Sequence, residues 1–163
     1  MDYHPVVEKI KSILVEHGVA FDTFEHEPVR TSEEASKVRT GYTIDQGTKA
    51  LIVRVIERGG VKKFVMLVVP GNRKFDPKKV KVVTGFTDIR FATEDEVGRI
   101  TEGVLPGGVP PFGNLFNLDV FADSTIFNNE RIIFNAGDRR YSIGMPSKDY
   151  KDIVEPDVVD IIE

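Results

Sequence analysis

The sequence lacks cysteine altogether, which excludes disulfides, a thiolate zinc site and a thiol nucleophile. Its three histidines, His4, His17 and His26, form neither an H-x-x-x-H nor an H-E-x-x-H pair, so we expect no metal site. No apolar run approaches the ~20 residues of a membrane span, and the N-terminus has no apolar signal-peptide core. We therefore expect a cytoplasmic protein.

A global excess of basic charge is also absent, because the formal net charge is −4. This balance excludes the strongly basic field of many nucleic-acid-binding proteins. A local cluster of basic residues remains, which is either a solvated charged face or a basic rim beside a binding site. Its members are Arg73, Lys74, Lys78 and Lys79.

The composition is that of one soluble globular domain, with 163 residues of which 40% are hydrophobic and 29% charged. Apolar residues at helical spacing, capping residues and terminal glycines predict helices. The predicted helices cover Pro5–His17, Ser32–Val38, a short segment capped by Asp76, a segment that opens with a Thr93–Glu96 capping box and a terminal segment capped by Ser147. We expect the acidic C-terminal residues to fray.

Apolar runs bounded by glycine and proline predict strands. They cover Val19–His26, Thr48–Glu57, Lys62–Val69, Ile89–Ala92, Leu118–Ala122, Arg131–Asn135 and Tyr141–Met145. Gly59-Gly60 is compatible with a tight primed turn between the second and third strands, and the last two strands are predicted to form another hairpin. The irregular alternation of helices and strands predicts an α+β fold with one mixed, curved sheet and surrounding helices.

The segment from Gly107 to Gly113 holds two prolines besides its glycines, so it cannot be a helix interior or a central strand. Two interpretations stay open. The glycines allow backbone groups to approach a small polar ligand closely, and the prolines keep those groups fixed. Alternatively, the segment is an ordinary surface crossover in which Phe112 serves as a hydrophobic plug.

Polar side chains at the ends of predicted strands are further candidates. Lys49 heads a very apolar strand, where it is either a solvated strand end or a fixed positive charge for a phosphate. Asn135 either belongs to a turn or orients a ligand through its amide. Thr48 and Ser142 supply hydroxyls, but no Ser–His–Asp arrangement and no convincing carboxylate pair can be drawn. The residues alone indicate a small-molecule or nucleotide-end site and name no reaction.

Four segments occur together in an order that resembles the YbaK family, which includes the editing insertion of bacterial prolyl-tRNA synthetase. They are Thr31–Ala35, Gly47–Ile52, Gly107–Gly113 and Asn135–Gly137. Their joint spacing is specific, and the resemblance runs from about Val6 to Tyr150. It implies that residues 1–163 form one aminoacyl-tRNA deacylase domain with a partial-barrel sheet. Such a protein hydrolyses the ester of mischarged tRNA in trans, without a metal or cofactor.

The resemblance also implies roles for individual residues. Lys49 matches the family lysine that holds the phosphate of the terminal adenosine, and Gly107 and Gly108 begin the loop whose backbone receives the amino acid. The expected catalytic residues are therefore Lys49, Gly107 and Gly108. Hydrolysis would depend on positioning, charge stabilisation and the substrate's own ribose hydroxyl. The expected substrate-binding residues are Thr48, Val109, Pro110, Pro111, Phe112, Gly113, Asn135, Ala136, Gly137 and Ser142.

The substrate's amino acid stays open, because a pocket discriminates one methylene by only ~1–3 kcal/mol. Phe112 and Tyr42 are the residues expected to narrow the pocket. The expected partners are the acceptor end of a mischarged tRNA, with tRNA for proline favoured, and an aminoacyl-tRNA synthetase. The basic cluster would make weak, salt-sensitive contacts with the tRNA.

Two other classes of function remain open. The first is a non-catalytic module that binds an aminoacyl nucleotide or recruits tRNA to a synthetase. The second is a protein-interaction domain that uses Pro110-Pro111-Phe112 as an exposed apolar docking loop.

Overall fold

The computed structural model describes residues 2–29 and 31–163, which fold into helices and strands. The helices of this part of the chain are α1 (Val6–Glu16), α2 (Ser32–Val38), α3 (Pro77–Thr84), α4 (Glu94–Thr101) and α5 (Ser147–Val154). The strands are β1 (Asp22–Glu25), β2 (Thr48–Ile56), β3 (Lys62–Pro70), β4 (Asp88–Phe91), β5 (Val120–Asp123), β6 (Arg131–Asp138), β7 (Tyr141–Pro146) and β8 (Asp157–Val159). None of these helices is long and apolar enough to cross a membrane.

The strands form two sheets, which confirms the α+β class but replaces the single sheet that we expected. One sheet is antiparallel with the order β1-β7-β6, and the other is mixed with the order β4-β2-β3-β5-β8. The sheets split because the β6–β7 hairpin pairs with β1 and not with the β2–β3 hairpin. A backbone bridge between Gly47 and Ile133 joins them, and within the described residues they do not close into a barrel.

The five-stranded sheet has a hydrophobic core on each face, as the continuous apolar run of β3 predicted. Met66 and Val68 face the larger core, which α1, α5 and the three-stranded sheet also line. Val65 and Leu67 face the second core, where α3 and the C-terminal residues pack. The alternation of side chains along a strand sends neighbouring apolar residues to opposite faces, so both faces of β3 are buried.

The predicted helix starts are mostly confirmed. Thr31 accepts a hydrogen bond from the Glu34 N–H, and Asp76 accepts one from Lys78 with Pro77 in the first turn. Thr93 and Glu96 form the predicted reciprocal capping box. The prediction for Ser147 is wrong, because Pro146 holds the capping position.

The Ser147 hydroxyl instead donates to the backbone carbonyls of Asn129 and Glu130. The turn between β2 and β3 is tight but is not the two-residue primed type, because the Glu57 N–H donates to the Val61 carbonyl across residues 58–60. Both glycines of that connection do have positive φ.

The prediction that the C-terminus frays is wrong. The strand β8 pairs in parallel with β5, and the backbone N–H of Ile161 donates to the Asp123 carboxylate over 2.9 Å. Ile161 and Ile162 are buried in the second core. Two isoleucines among acidic residues therefore fix the chain end, because their burial removes apolar area from water.

Candidate active site

The site lies where the two sheets meet, beside the Gly47–Ile133 bridge. A partly open cavity of about 260 Å³ occupies this junction. The segments that line it lie far apart in the sequence: α2, the start of β2, the residue after β3, the glycine–proline loop and β6. The lining residues are Val29, Thr31, Ala35, Ser36, Arg39, Thr43, Ile44, Gly47, Thr48, Lys49, Gly71, Gly107 and Asn135.

Lys49 places a positive charge on the wall of this cavity. It is the second residue of β2 and lies opposite Val69 of β3, so the sheet fixes its backbone. The side chain is half-buried, and burial lowers the pKa of its ammonium group, with a further contribution from the charge of Lys74. Thr48 also lines the cavity, where its hydroxyl faces the carbonyl of Gln46 at 3.4 Å.

Asn135 and Gly107 form another part of the wall. The Asn135 side chain donates a hydrogen bond to the carbonyl oxygen of Gly107 over 2.8 Å, which ties β6 to the glycine–proline loop. The register of β6 shifts between Asn135 and Asp138, so Ala136 and Gly137 lie in a bulge. Ala136 is buried in the larger core, and a Cβ added at Gly137 would lie 2.1 Å from Val6 of α1.

Arg39, just after α2, is the most buried charged residue of the cavity wall, with 6% of its surface exposed. Its Nε donates to the Ser142 hydroxyl over 3.1 Å, and its Nη2 donates to Asn135 Oδ1 over 3.2 Å. Burial lowers the pKa of this guanidinium to about 10, so it stays charged at neutral pH. Two cations, Arg39 and Lys49, thus line the same cavity, and the arrangement is suited to a ligand that offers oxygen acceptors or negative charge.

His26 completes a polar network behind the cavity. Its Nδ1 lies 2.8 Å from the carbonyl oxygen of Glu27, which can only accept a hydrogen bond. Nδ1 therefore donates this hydrogen bond, and Nε2 lies 2.8 Å from the Ser142 hydroxyl, which is also 3.3 Å from Asn135 Oδ1. Ser142 is fully buried and does not line the cavity, so it positions Arg39 from behind.

The glycine–proline loop reaches the cavity only through Gly107. Its other residues, Gly108 to Gly113, are buried, and the N–H groups of Gly108 and Val109 donate to carbonyls of the preceding turn. Phe112 packs against Phe134 and Tyr150, with ring centroids 5.6 Å apart in both pairs. The expectation that Phe112 narrows the pocket is wrong, because its ring is buried in the core as a hydrophobic plug, although the loop is not a surface crossover. An exposed docking loop at Pro110-Pro111-Phe112 is likewise contradicted.

Tyr42 does not narrow the cavity either, because its hydroxyl donates to Asp22 and accepts from Arg131. Its ring occupies the space beside Gly144, where an added Cβ would overlap it. Tyr42 is therefore part of the packing of the three-stranded sheet and not of the cavity wall.

The basic cluster lies outside the cavity wall, and half of it is engaged by the C-terminus. Arg73 donates to the carbonyl oxygen of Glu163, and Lys79 contacts the carbonyl oxygen of Ile162 at 2.8 Å. Lys74 and Lys78 are exposed. Lys74 is close enough to influence the Lys49 ammonium, so it connects the cluster electrostatically to the cavity.

Sequence reasoning missed Arg39 and His26. No motif marks either one, and their partners Asn135 and Ser142 lie about a hundred residues away in the chain. Sequence spacing gave no signal for Arg39 beyond its place at the end of a capped helix. Across residues 2–29 and 31–163, no group of three histidine or carboxylate side chains is arranged to hold a metal ion.

The sequence is similar to a known protein family and to characterised relatives. Residues 26–153 match the family described as the aminoacyl-tRNA editing domain. The chain is similar to the multifunctional Ser/Thr-tRNA deacylase ProXp-y of Escherichia coli (strain K12), with 29% identity over 153 residues that cover 93% of this chain and 90% of that protein. It is also similar to the proline–tRNA ligase of Ralstonia pickettii (strain 12J), with 28% identity over 136 residues, or 83% of this chain and 23% of the ligase.

The fold itself has solved counterparts. A structure described as a candidate trans-editing enzyme for prolyl-tRNA synthetase superposes with a TM-score of 0.80 at 23% identity, and the match covers 99% of both chains. This likeness shows a shared fold.

Proposed function

The chain belongs to the aminoacyl-tRNA editing domain family, and from this premise we propose that it is a trans-editing deacylase that hydrolyses the ester of mischarged tRNA. The observation that carries the proposal is the cavity at the junction of the sheets. It is lined by the half-buried Lys49 and by the bonded pair Asn135–Gly107. These residues lie within the matched part of the chain, and residues 1–163 are proposed to act as one editing domain in the cytoplasm.

In this proposal Lys49 binds the phosphate of the terminal adenosine. An ammonium group is a compact charge that suits a phosphate oxygen, and its partial burial strengthens the attraction by excluding water. The pairing of β2 with β3 fixes the backbone of Lys49, so the bound phosphate would fix where the ester lies. The amino acid then extends toward Gly107 and Asn135.

The reaction needs few protein groups. An aminoacyl ester is already activated, so positioning and charge stabilisation supply most of the rate. A water molecule would attack the ester carbonyl, and the substrate's ribose hydroxyl would help to activate that water. Breakdown of the tetrahedral intermediate would release the free amino acid and leave the ribose hydroxyl of the tRNA. Gly107 contributes backbone next to the ester, while Gly108 to Gly113 fix Gly107 from the core.

We propose tRNA for proline, carrying a small wrong amino acid, as the substrate. Support comes from the similarity to the proline–tRNA ligase, which covers only a part of that protein and matches most of this chain. The similarity to the deacylase ProXp-y supports action in trans, and we propose a synthetase as a further partner. The exposed Lys74 and Lys78 would contact the tRNA outside the cavity, with Arg73 and Lys79 beside them.

The experiment is to compare hydrolysis of mischarged tRNA by the wild type and by Lys49→Ala. Loss of a charge-assisted contact of about 1.5–3 kcal/mol predicts that kcat/KM falls about 10- to 100-fold. The matched control is Lys62→Ala, because Lys62 is an exposed lysine at the other end of the same hairpin. Circular dichroism checks that both variants fold.

Equal kcat/KM in the wild type and Lys49→Ala would remove Lys49 from the mechanism. A wild-type protein that binds mischarged tRNA and hydrolyses none of a panel of aminoacyl esters would instead support a non-catalytic binding module.

A further inference from the structure

Arg39 has a hydrogen-bonding capacity that the protein does not use. Its Nε and Nη2 are occupied by Ser142 and Asn135, but within the described part of the chain Nη1 has no acceptor and the guanidinium has no carboxylate partner. Some more exposed arginines do have such partners, for example Arg90 with Glu96 at 2.9 Å. Arg39 is thus a buried arginine that has no carboxylate partner among the described residues.

An arrangement of this kind is costly for folding. A buried cation loses its hydration, and without an opposite charge the loss is only partly compensated by neutral hydrogen bonds. Burial accordingly lowers the pKa of Arg39. A ligand in the cavity that supplies an oxygen acceptor to Nη1 would recover part of this cost.

The free nitrogen lies on the cavity wall beside Gly47. A Cβ added at Gly47 would be 3.6 Å from Arg39 Nη1, so the absence of a side chain there leaves the nitrogen uncovered. The two bonds from Nε and Nη2 fix the plane of the guanidinium, and Asn135 in turn is fixed by Gly107. These bonds hold Nη1 in a fixed orientation. A donor that is held in this way can discriminate between similar ligands.

We propose that Arg39 is a specificity-determining residue that donates a hydrogen bond to an oxygen atom in the side chain of the esterified amino acid. The inference rests on the proposed function and names its substrate class, which is an amino acid with a side-chain hydroxyl or carboxylate. Arg39 reads the amino acid and not the phosphate, because Asn135 links it to Gly107 at the amino-acid end, while Lys49 provides for the phosphate.

The chemistry of discrimination supports this assignment. A pocket that relies on size alone separates amino acids that differ by one methyl group poorly. A site with a fixed donor rejects a substrate that lacks the acceptor, because the donor is then buried without a partner. The cavity would therefore prefer serine to alanine, which has nearly the same size but no hydroxyl.

The test compares seryl and alanyl substrates on one tRNA, using kcat/KM for the wild type, Arg39→Met and Arg39→Lys. Affinities of stable 3′-amide analogues, seryl- and alanyl-3′-amino-3′-deoxyadenosine 5′-phosphate, are measured in parallel. Arg39→Met should reduce the serine-to-alanine ratio about 10- to 100-fold in both measurements, while the alanyl values change little. Arg39→Lys keeps the positive charge but loses the planar guanidinium. Its serine-to-alanine ratio should therefore lie between those of the wild type and Arg39→Met.

The control variant is Arg54→Met, which removes an arginine outside the cavity and should leave the ratio unchanged. Equal losses for both substrates in Arg39→Met would overturn the proposal, because they would show a general structural or charge-stabilising role. A wild type without preference for serine would overturn it as well. If the wild type hydrolyses neither ester, the proposed function fails, and the amide affinities still decide whether Arg39 reads the side chain.

Discussion

Gly137 provides a sharp test of how the bulge in β6 is held. Its φ is +116°, a backbone conformation that residues with a side chain rarely adopt. An added Cβ would lie 2.1 Å from Cγ1 of Val6, far inside van der Waals contact. Gly137→Ala should therefore destabilise the protein through two separate effects, which are backbone strain and overlap with α1.

The magnitude follows from these two effects. Strained backbone at such a position costs about 1–3 kcal/mol, and one extra carbon in a packed core costs about 1–3 kcal/mol. Gly137→Ala should lower the free energy of unfolding by the sum, about 2–6 kcal/mol. Val6→Ala removes the overlapping methyl group but loses buried apolar area, which costs about 2 kcal/mol.

The assay is urea unfolding of the wild type, both single variants and the double variant, followed by circular dichroism. In the double variant the overlap is gone and the backbone strain remains. Its destabilisation should be smaller than the sum of the single variants by about 1–3 kcal/mol. Gly98→Ala serves as the control, because Gly98 lies inside α4 with nothing within 4 Å of an added Cβ. That change should stabilise the protein by about 0.5–1 kcal/mol.

Additive costs in the double variant would refute the reasoning, because they would show that Gly137 and Val6 are not in conflict. If Gly137→Ala were as stable as the wild type, the expected backbone strain at residue 137 would also be refuted.

Two further changes test the support of the loop and of α4. Tyr150→Phe deletes a buried hydroxyl that donates to the Pro111 carbonyl over 2.6 Å, so urea unfolding should show a loss of about 1–3 kcal/mol; an unchanged midpoint would contradict this. Hydrogen bonds from Arg90 and from the Thr93 N–H lower the pKa of Glu96 from 4.5 to about 2. The stability from Glu96 is therefore present above pH 4.5 and is lost as the pH falls toward 2, so the thermal midpoint of the wild type should drop more steeply in that window than that of Glu96→Gln. Parallel profiles would exclude this contribution.

Local features of the fold were predictable because their partners are close in the sequence. The capping box of Thr93 and Glu96 spans three residues, and the cap at Asp76 is followed at once by Pro77. The burial of both faces of β3 follows from its unbroken apolar run. Each of these is determined by a few neighbouring side chains, so the sequence pattern carries the information.

The candidate site was predictable only in part. Lys49 was predicted as a site residue from its position at the start of a strand. Gly107 and Asn135 were predicted from the order of the motifs. The contact of Arg39 with Asn135 was not predictable, because it depends on how α2 packs against the three-stranded sheet. An arginine near the end of a helix is common, and nothing in its neighbours indicates burial.

The burial of the glycine–proline loop could not be predicted from its composition either. Glycine and proline exclude regular structure, but they do not reveal whether a loop is exposed or buried. Here the loop is buried because the ring of Phe112 packs against Phe134 and Tyr150. Those partners lie in elements whose approach to the loop only the tertiary structure reveals.

The antiparallel pairing of β2 and β3 also has a practical consequence. It puts Thr48 and Pro70 at the cavity end of the hairpin and Ile56 and Lys62 at the other end. About seven residues at about 3.3 Å each separate Lys49 from Ile56, so the turn lies roughly 23 Å from the cavity. A fluorophore or surface tether attached at Arg58 would therefore leave the cavity unobstructed, so this turn is a suitable attachment point for single-molecule measurements.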